Sequence, residues 1–354
     1  MARKLYLDIH LLQTVPPSCV NRDDTGSPKT AIYGGVTRAR VSSQSWKKAV
    51  RDMFKDMFPR EELGLRTKKI VRLVQEEIEK SGDILDAEKK AIDILKLAGL
   101  KIKNADDGTD ALFFMSVAQA KALAKLVAEQ KDTNKKEVQK AMASSPSIDI
   151  ALFGRMVADN PSYNTDASCQ VAHAISTHKV VTEFDYFTAA DDLPAEDHAG
   201  AGHIGNVEFN SSTLYRYSTV AVHQLFKQLG KNTNEAVQAF IKAFVLSMPT
   251  GKQNTFANRT VPDAVYITLR KDQPVNLVGA FEKPVHSRND GYTSNSASKL
   301  KEHAQKVYQD FLNKPDYSFV IGELLADIGI MASLNDNIVK IGEILENELA
   351  ELVE

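Results

Sequence analysis

The side chains best able to do chemistry lie close together near the N-terminus, in PSCVNRDDTGSPKTAIYGGVTRARVSSQSWKKAVR at residues 17–51. Between Thr25 and Arg51 there are six basic side chains and no acidic one, although the 354-residue chain has a formal net charge of −2. Lysine, arginine, hydroxyl and amide groups bind phosphate oxygens and ribose without reading a base. We therefore predict a local site for a sugar–phosphate backbone; the alternative is a solvated basic loop.

The candidate contacts lie in a loop and at the start of the helix that follows it. Breakers such as Pro28, Gly34 and Gly35 predict the loop, and a helix N-capped near Ser42 or Ser43 should follow. Free amides at that helix N-terminus favour a bound phosphate. The candidate residues are Arg22, Lys29, Arg38, Arg40, Ser42, Gln44, Lys47, Lys48 and Arg51.

A second stretch has the opposite charge. Between Glu183 and Glu208 there are seven carboxylates and no lysine or arginine, and the pattern predicts an arm that leaves one strand and returns on another. Stacking of its apolar members on bases would be worth about 1–3 kcal/mol per base; these members are Phe184, Tyr186, Phe187, Ala189 and Ala190. Two other interpretations stay open. The aromatics pack the arm onto its own domain, or the acidic arm contacts a basic surface on another copy.

Signals for catalysis, metals or cofactors are weak. TGKQNT at residues 250–255 has the Gly-Lys pair of a phosphate loop, but Leu246 stands in place of its first glycine, and Gln253 replaces the Ser/Thr that binds magnesium. His173 and His178 are five residues apart, a spacing that places them on neither one helix face nor one strand face. We expect no catalytic residue, no metal ligand and no cofactor.

Two adjacent carboxylate pairs, Asp23-Asp24 and Asp191-Asp192, are the remaining candidates for a divalent ion in phosphodiester chemistry. The simpler interpretation is a turn or helix cap for the first pair and solvated charge on the arm for the second. Neither pair requires an enzyme.

The bulk composition is that of a globular protein, with 43% hydrophobic and 25% charged residues. Asp8 and His10 interrupt the N-terminal hydrophobic run, so we expect no signal peptide, and no apolar stretch reaches the about 18 residues of a transmembrane helix. Cys19 and Cys169 are too few for a disulfide framework. We expect a cytoplasmic protein without a membrane partner.

The elements that must position these residues predict an α+β fold. Residues 4–14 alternate as a strand, residues 15–35 form a loop, and residues 61–143 contain several amphipathic helices. Short β-like runs are predicted in IDIALFGRM and ASCQVAHAISTHKVV, a helix in NEAVQAFIKAFVLSM, strands in DAVYITLR and PVNLVGAFEKPV, and helices towards the C-terminus. Strands at the start, middle and end predict a sheet assembled from distant segments.

Eight motifs resemble one family when taken in order: PSCVNRDD, AIYGG, RARVSSQSWKKAVR, FGRM, VAHAISTHKV, DYFTAADDL, FNSSTLYRY and AFEKPV. The chain is similar to the CasC backbone subunits of type I-E CRISPR Cascade complexes, from the first strand to beyond Phe281. The resemblance implies an RRM-like (ferredoxin-like) palm sheet, a helical fingers insertion and a β-hairpin thumb. The implied boundaries are 1–58 and 148–178 for the first parts of the palm, 59–147 for the fingers, 179–210 for the thumb, and 211–354 for the rest of the palm with C-terminal helices.

The resemblance also implies a role in antiviral defence. Several copies polymerise along a CRISPR RNA and hold its backbone, and each thumb kinks the RNA over the neighbouring palm. The intervening bases stay free to pair with target DNA, since the protein reads shape and pairing reads sequence. The subunit itself is then non-catalytic. Its implied partners are CRISPR RNA, target DNA, other copies of the chain, other Cascade subunits and a recruited nuclease-helicase.

Family contacts can be carried over motif by motif. Arg22 and Lys29 align with guide-backbone contacts, and Ser42, Gln44 and Lys47 with phosphate and ribose ligands at the helix start. A basic helical face is either solvated or close to DNA; it consists of Lys135, Lys136 and Lys140.

The remaining carried-over residues are apolar or belong to the thumb. Met156 of FGRM resembles a methionine that wedges next to the displaced nucleotide. Tyr186, Phe187, Thr188 and Ala190 correspond to thumb residues that cover the kink. The family has a tryptophan where this chain has Tyr186, and the smaller aromatic can still stack.

Two rival hypotheses belong to other functional classes. One is a metal-dependent RNase, as in related type III backbone subunits, with Asp23 or Asp24 as the catalytic carboxylate. The other is a general single-strand binder without partners. Cutting of complementary RNA in magnesium would favour the first, and binding that ignores the repeat-derived ends of a guide would favour the second.

Overall fold

The computed structural model describes residues 3–82, 84–129, 133–157, 160–189, 203–287 and 289–353. They form a mixed α+β structure with one ten-stranded sheet and one two-stranded sheet. The strands are β1 (Tyr6–Ser18), β2 (Thr30–Tyr33), β3 (Val36–Val41), β4 (Gly64–Thr67), β5 (Phe113–Ser116), β6 (Cys169–Val171), β7 (Ala174–Ser176), β8 (Glu183–Ala189), β9 (His203–Ala221), β10 (Ala264–Arg270), β11 (Tyr317–Ile321) and β12 (Ile330–Met331).

The helices lie between these strands and at the C-terminal end. They are α1 (Ser43–Phe54), α2 (Ile70–Lys80), α3 (Ala87–Leu97), α4 (Val117–Ala128), α5 (Lys135–Ala143), α6 (Ile148–Phe153), α7 (Val222–Leu229), α8 (Thr233–Leu246), α9 (Gln253–Phe256), α10 (Thr293–Asp310) and α11 (Leu334–Val353). Within the described ranges, none of them combines the length and apolarity needed to cross a membrane.

The ten-stranded sheet is built around β1 and β9. Its order is β12-β11-β10-β1-β9-β7-β3-β2, and β6 and β8 also pair with β9. β1 pairs antiparallel with both β9 and β10, whereas β11 and β12 are parallel. Neighbouring strands therefore come from distant parts of the chain, as the sequence predicts.

Both faces of β1 are covered, because alternate side chains enter two different cores. One face supplies aliphatic residues to the core beneath α8 and α11: Leu7, Ile9 and Leu11. The opposite face carries Asp8 and His10 among buried tyrosines. Nδ1 of His10 lies 2.8 Å from the Tyr215 hydroxyl, and Tyr217 donates to Asp8 at 2.9 Å. This polar pairing lets a charged strand position remain buried at the centre of the sheet.

Helices α2 to α5 form a lobe with its own core. Aliphatic residues from each of them meet there, among them Ile70, Val74, Ile94, Leu123 and Met142. The sequence predicts these helices. The β4–β5 hairpin in the same lobe is an addition, because two strands of four residues are too short to show a period of two.

Three predicted elements are wrong in type or extent. IDIALF is helix α6 and not a strand: residues 148–152 are all buried, and a run buried on every side shows no diagnostic period. LVGAF, in a predicted strand, is the 3-10 helix Leu277–Phe281, capped by the Asn276 side chain. The predicted loop at 15–35 contains the end of β1 and all of β2.

One long strand leaves the sheet. Residues 210–221 of β9 pair with β1, and residues 203–209 pair with β8. We call β8 together with residues 203–209 the ribbon. All side chains from Glu183 to Thr188 of β8 are exposed, Phe187 less than its aromatic neighbours, which shows that this strand lies outside the packed body.

Candidate nucleic-acid interface

The loop after β1 is held by its own hydrogen bonds. The Asp23 carboxylate accepts from the Thr25 hydroxyl at 2.7 Å, the Thr25 amide at 3.0 Å and the Ser27 amide at 3.0 Å. These bonds, the Thr25 hydroxyl first, lower the pKa of Asp23. At the end of the loop, the Lys29 amide donates to the Asn21 carbonyl at 2.8 Å. The basic side chains of this loop therefore extend from a turn whose backbone is fixed by hydrogen bonds.

The start of α1 is fixed from two sides. Ser42 is the N-cap, as predicted, and its Oγ accepts from the Ser45 amide at 3.4 Å. The Ser42 amide donates to the Asn21 side chain at 2.9 Å. Trp46 is buried in the first turn, with the guanidinium carbon of Arg216 3.6 Å from its ring centroid. Loop and helix thus meet in a fixed relation, with the first amides of the helix beside the loop.

The predicted contacts differ in accessibility. Four are exposed: Arg22, Gln44, Lys48 and Met156. Four are half-buried: Lys29, Arg40, Lys47 and Arg51. Two are buried: Arg38 and Ser42. We call the loop 19–29, the β2–β3 hairpin and the first two turns of α1 the basic surface.

Arg38 lies inside the molecule and supports this surface from beneath. Its guanidinium donates to the carbonyls of Tyr33 at 3.1 Å, Ser176 at 3.0 Å and Phe281 at 2.8 Å. All three nitrogens are engaged, and the side chain has no exposed area. No nitrogen of Arg38 is therefore left at the surface for a phosphate, and the residue joins the β2–β3 hairpin to the 3-10 helix.

Two glycines allow neighbouring segments to approach the basic surface closely. Gly34, between β2 and β3, has a φ of +58°, and a Cβ there would lie 1.7 Å from the carbonyl oxygen of Glu282. Gly251, in TGKQNT, would place a Cβ 2.1 Å from the carbonyl oxygen of Val20. Neither position has room for a side chain. The TGKQNT turn is thus a brace for the loop after β1.

Lys47 and Arg51 share one face of α1 but have different surroundings. Arg51 donates to the Asp149 carboxylate at 2.9 Å, and its guanidinium carbon lies 4.4 Å from the Phe114 ring centroid. Asp149 is almost completely buried. The Lys47 ammonium lies 5.9 Å from the ring centroid of Phe153. Arg51 therefore ties α1 to α6 and the helical lobe, whereas Lys47 presents its ammonium over an aromatic face.

Met156 is an exposed apolar side chain on an anchored backbone. It is 85% exposed. The preceding residue, Arg155, is buried and donates to the carbonyls of Tyr163 at 2.8 Å and Phe114 at 3.0 Å. Burial lowers the pKa of Arg155 to about 10. The anchored neighbour holds Met156 at the surface, where an apolar group can contact a base.

A cleft of about 700 Å³ lies beside α1. Residues 20–26, the turn 247–251 and Arg259 line it together with Lys48 and Asp52, which form an ion pair on α1. Sequence reasoning misses Arg259 because it lies more than 200 residues from the loop that it faces, and no local motif marks it. The cleft is of mixed charge, because Arg22, Lys48 and Arg259 line it together with four carboxylates: Asp23, Asp24, Asp52 and Asp56.

The register of the ribbon sorts its aromatic residues by face. Alternate residues point to opposite sides, so Phe184, Tyr186 and Thr188 share one face and Phe187 lies on the other. Phe187 pairs with Gly205, and a Cβ at Gly205 would lie 2.5 Å from the Phe187 ring. Phe184 and Tyr186 are 67% and 61% exposed. One face thus covers its own backbone, and the other is available for stacking.

In the part of the chain that the structure describes, no three His, Cys, Asp or Glu residues are grouped to hold a metal ion. His178 is buried, with its ring stacked 3.6 Å from Tyr292 between centroids. His173 is exposed beside Arg40. Ala190, predicted to be a thumb contact, and the pair Asp191-Asp192 lie outside the described residues.

The chain is similar to one protein family and to chains of solved complexes. The family model described as "CT1975-like protein" matches residues 7–345. A chain of a solved "CRISPR RNA-guided surveillance complex, pre-nicking" is similar with a TM-score of 0.81 and 31% identity, over 95% of this chain and 100% of that chain. A chain of a "CRISPR RNA-guided surveillance complex" gives 0.63 and 29%, over 95% and 99%. A comparison with curated proteins finds no match.

Proposed function

Because the chain belongs to the CT1975-like protein family, we propose that it is a CRISPR RNA-binding backbone subunit of an RNA-guided surveillance complex. The observation that carries this proposal is the basic surface. It combines a turn held by its own bonds, a capped helix start and accessible cations, with no acidic residue from Thr25 to Arg51. The likeness to chains of CRISPR RNA-guided surveillance complexes supports the same function.

In finer detail, we propose a type I-E Cascade-like subunit. The ten-stranded sheet is then an RRM-like palm, the α2–α5 lobe the fingers, and the ribbon part of the thumb. Several copies line up along the guide. Each holds its backbone and leaves bases free for target DNA, and a recruited nuclease-helicase cuts that DNA.

The roles divide by accessibility. Arg22, Lys29, Arg40 and Lys47 supply charge to phosphates, and Gln44 donates to phosphate or ribose at the helix start. The exposed face of the ribbon and the Met156 side chain contact bases of the kinked segment, where stacking tolerates any sequence. Arg38 and Arg51 hold the surface in shape from within.

Purification from cells that also produce the neighbouring proteins and a CRISPR array tests the proposal. We expect a discrete co-purified RNA of uniform length. The double variant Arg22→Glu/Lys47→Glu should lose it, because each reversal replaces attraction to phosphate by repulsion. The control Lys306→Glu/Lys340→Glu makes the same charge change on the exposed faces of α10 and α11 and should keep the RNA.

Two results would contradict the proposal. A wild-type complex without RNA would remove the function itself. Normal guide retention by Arg22→Glu/Lys47→Glu would remove the phosphate role of the basic surface and leave guide binding to another region.

The rival RNase function depends on the loop carboxylates. Asp23 is engaged by its own turn, so Asp24, exposed at the cleft, is the better candidate. Incubation of the assembled complex with complementary RNA and Mg²⁺ decides between the functions. We expect intact RNA; periodic cuts that Asp24→Ala abolishes would establish the enzyme.

A further inference from the structure

His173 lies at the edge of the basic surface, on the connection between β6 and β7. Its side chain is exposed. Nδ1 of its imidazole is 3.2 Å from Nη1 of Arg40. Arg40 sits opposite Ile175 of β7 in the sheet, and its Nε donates to the Thr30 carbonyl at 3.1 Å. The guanidinium is thus anchored at one nitrogen and meets the histidine with another.

This contact determines the state of the imidazole. A guanidinium can only donate hydrogen bonds, so Nδ1 of His173 must be unprotonated to accept from Arg40. Protonation at Nδ1 would remove the acceptor and set two cations side by side. An anion between the two groups would favour the protonated imidazole, because a phosphate oxygen can accept hydrogen bonds from both groups at once.

The charges around the imidazole come from two elements. Arg40 belongs to β3, and Lys29 lies just before β2. Burial first, and then these two cations, lower the pKa of His173. On the other side lies β9, where the Ala172 amide donates to the Tyr217 carbonyl. The Tyr217 hydroxyl is turned inward and donates to Asp8. The groups that act on His173 are therefore basic, and a bound phosphodiester would bring the missing negative charge.

We propose that His173 is a further phosphodiester-binding residue of the basic surface, and that it binds RNA as the imidazolium in a clamp with Arg40 and Lys29. This inference rests on the proposed RNA-binding function. Binding then takes up a proton. RNA affinity rises as the pH falls from 7.5 towards 5.5, whereas phosphodiesters keep their charge throughout this range.

The size of the effect follows from linkage. If bound RNA raises the pKa of His173 by about one unit, affinity changes by about tenfold across the titration. Dissociation constants should be measured for the full-length protein and a labelled single-stranded RNA by fluorescence anisotropy, at pH 7.5, 6.5 and 5.5 and constant salt. Wild type should bind about five to ten times more tightly at pH 5.5 than at pH 7.5.

The matched variants are His173→Gln and His286→Gln, both at exposed histidines. His173→Gln should bind RNA more weakly than wild type, most of all at pH 5.5, and show only the pH dependence left by other groups. His286→Gln should retain the wild-type dependence. Labelling histidines with ¹³C gives an independent readout: the pKa of His173, read from its Cε1–H signal, should rise when the same RNA is added.

The failure of this inference can be told apart from failure of the function. RNA binding with the same pH dependence in wild type and His173→Gln, or an unchanged pKa of His173 on adding RNA, would overturn the clamp and leave the proposed function intact. Absence of RNA binding by wild type at every pH would overturn both.

Discussion

The basic surface and the ribbon are the two regions proposed to contact RNA, and they are built in opposite ways. Four distant parts of the chain contact the basic surface: Ser176, Arg216 through Trp46, the turn at Gly251, and the 3-10 helix Leu277–Phe281. The ribbon has two paired strands, with nearly every β8 side chain exposed. A two-stranded hairpin is marginally stable on its own.

This difference indicates which residues contribute to the free energy of RNA binding and which to the free energy of folding. Cations on a fixed surface need no reorganisation before they meet a phosphate, so their arrangement depends on the packing beneath. The ribbon depends little on the core, and the core depends little on it. Substitutions under the basic surface should therefore alter stability first, and substitutions on the open face of the ribbon should alter assembly alone.

Removal of the ribbon should have the largest effect on assembly. Replacing residues 183–208 by an Asn-Gly turn joins Thr182 to Phe209, which lie close together because Phe209 pairs with Glu183. Residues 210–221 of β9 keep their partners in β1, so we expect normal folding and no polymerisation on guide RNA. Circular dichroism and electron microscopy give the two readouts. Intact filaments from this variant would remove the thumb role.

Gly34→Ala should have the largest effect on stability. Its Cβ would meet the Glu282 carbonyl at 1.7 Å, at a φ of +58°, so strain and overpacking combine to about 2–5 kcal/mol. Gly35→Ala is the matched control, because its φ is +76° and nothing lies within 4 Å. It should lose only about 1 kcal/mol. Equal losses of unfolding free energy in the two variants would show that the close approach of the Glu282 carbonyl to Gly34 is unimportant for stability.

Arg51→Ala should destabilise by about 2–3 kcal/mol, because it leaves the buried Asp149 carboxylate without its cation. Lys47→Ala, one turn earlier on the same helix face, should change the free energy of unfolding by less than about 0.5 kcal/mol. In contrast, Lys47→Ala should weaken RNA binding and make its salt dependence shallower. Loss of stability in both variants would show that Lys47, like Arg51, has a structural role on this helix face.

Tyr186→Ala should weaken RNA binding by the value of one stacked base, about 1–3 kcal/mol, with unchanged stability of the sheet. Phe187→Ala tests the other face of the same strand. Loss of the ring over Gly205 should raise hydrogen exchange at the β8 amides. An effect of Tyr186→Ala on exchange equal to that of Phe187→Ala would show that both faces serve the ribbon itself.

Met156→Ala should have the smallest effect on stability, within about 0.5 kcal/mol, because the side chain is 85% exposed. The variant should still bind RNA, and the chemical reactivity of bases at the kinked positions should change. Arg155→Ala is the informative partner, since it removes the buried anchor and should destabilise strongly. An unchanged reactivity pattern in Met156→Ala would contradict the wedge.

Local patterns account for the parts of the fold that could be predicted. The α1 cap follows from the serines at 42 and 43 and from apolar spacing, and the central strands alternate over enough residues to show their period. The sequence does not identify IDIALF and LVGAF as helical, because a short apolar run fits a strand and a buried helix equally well.

The candidate site was predictable in its composition and less so in its geometry. Charge and hydroxyl content mark the segment at 17–51, but they cannot separate a cation that faces solvent from one that faces carbonyls. Arg38 meets Ser176 and Phe281, and Arg51 meets Asp149, each about a hundred residues or more away in sequence. Such partners become neighbours only through the pairing of distant strands.

Because β9 is continuous, the length of the ribbon can change independently of the body of the protein. Its 19 residues run without interruption from the central sheet into the ribbon. Matched insertion of two residues into each arm would lengthen the projection by about 7 Å and keep every side chain on its original face. Single insertions would invert the faces. The reach of the ribbon is thus adjustable in discrete steps, by natural variation or by design, while the body of the protein stays the same.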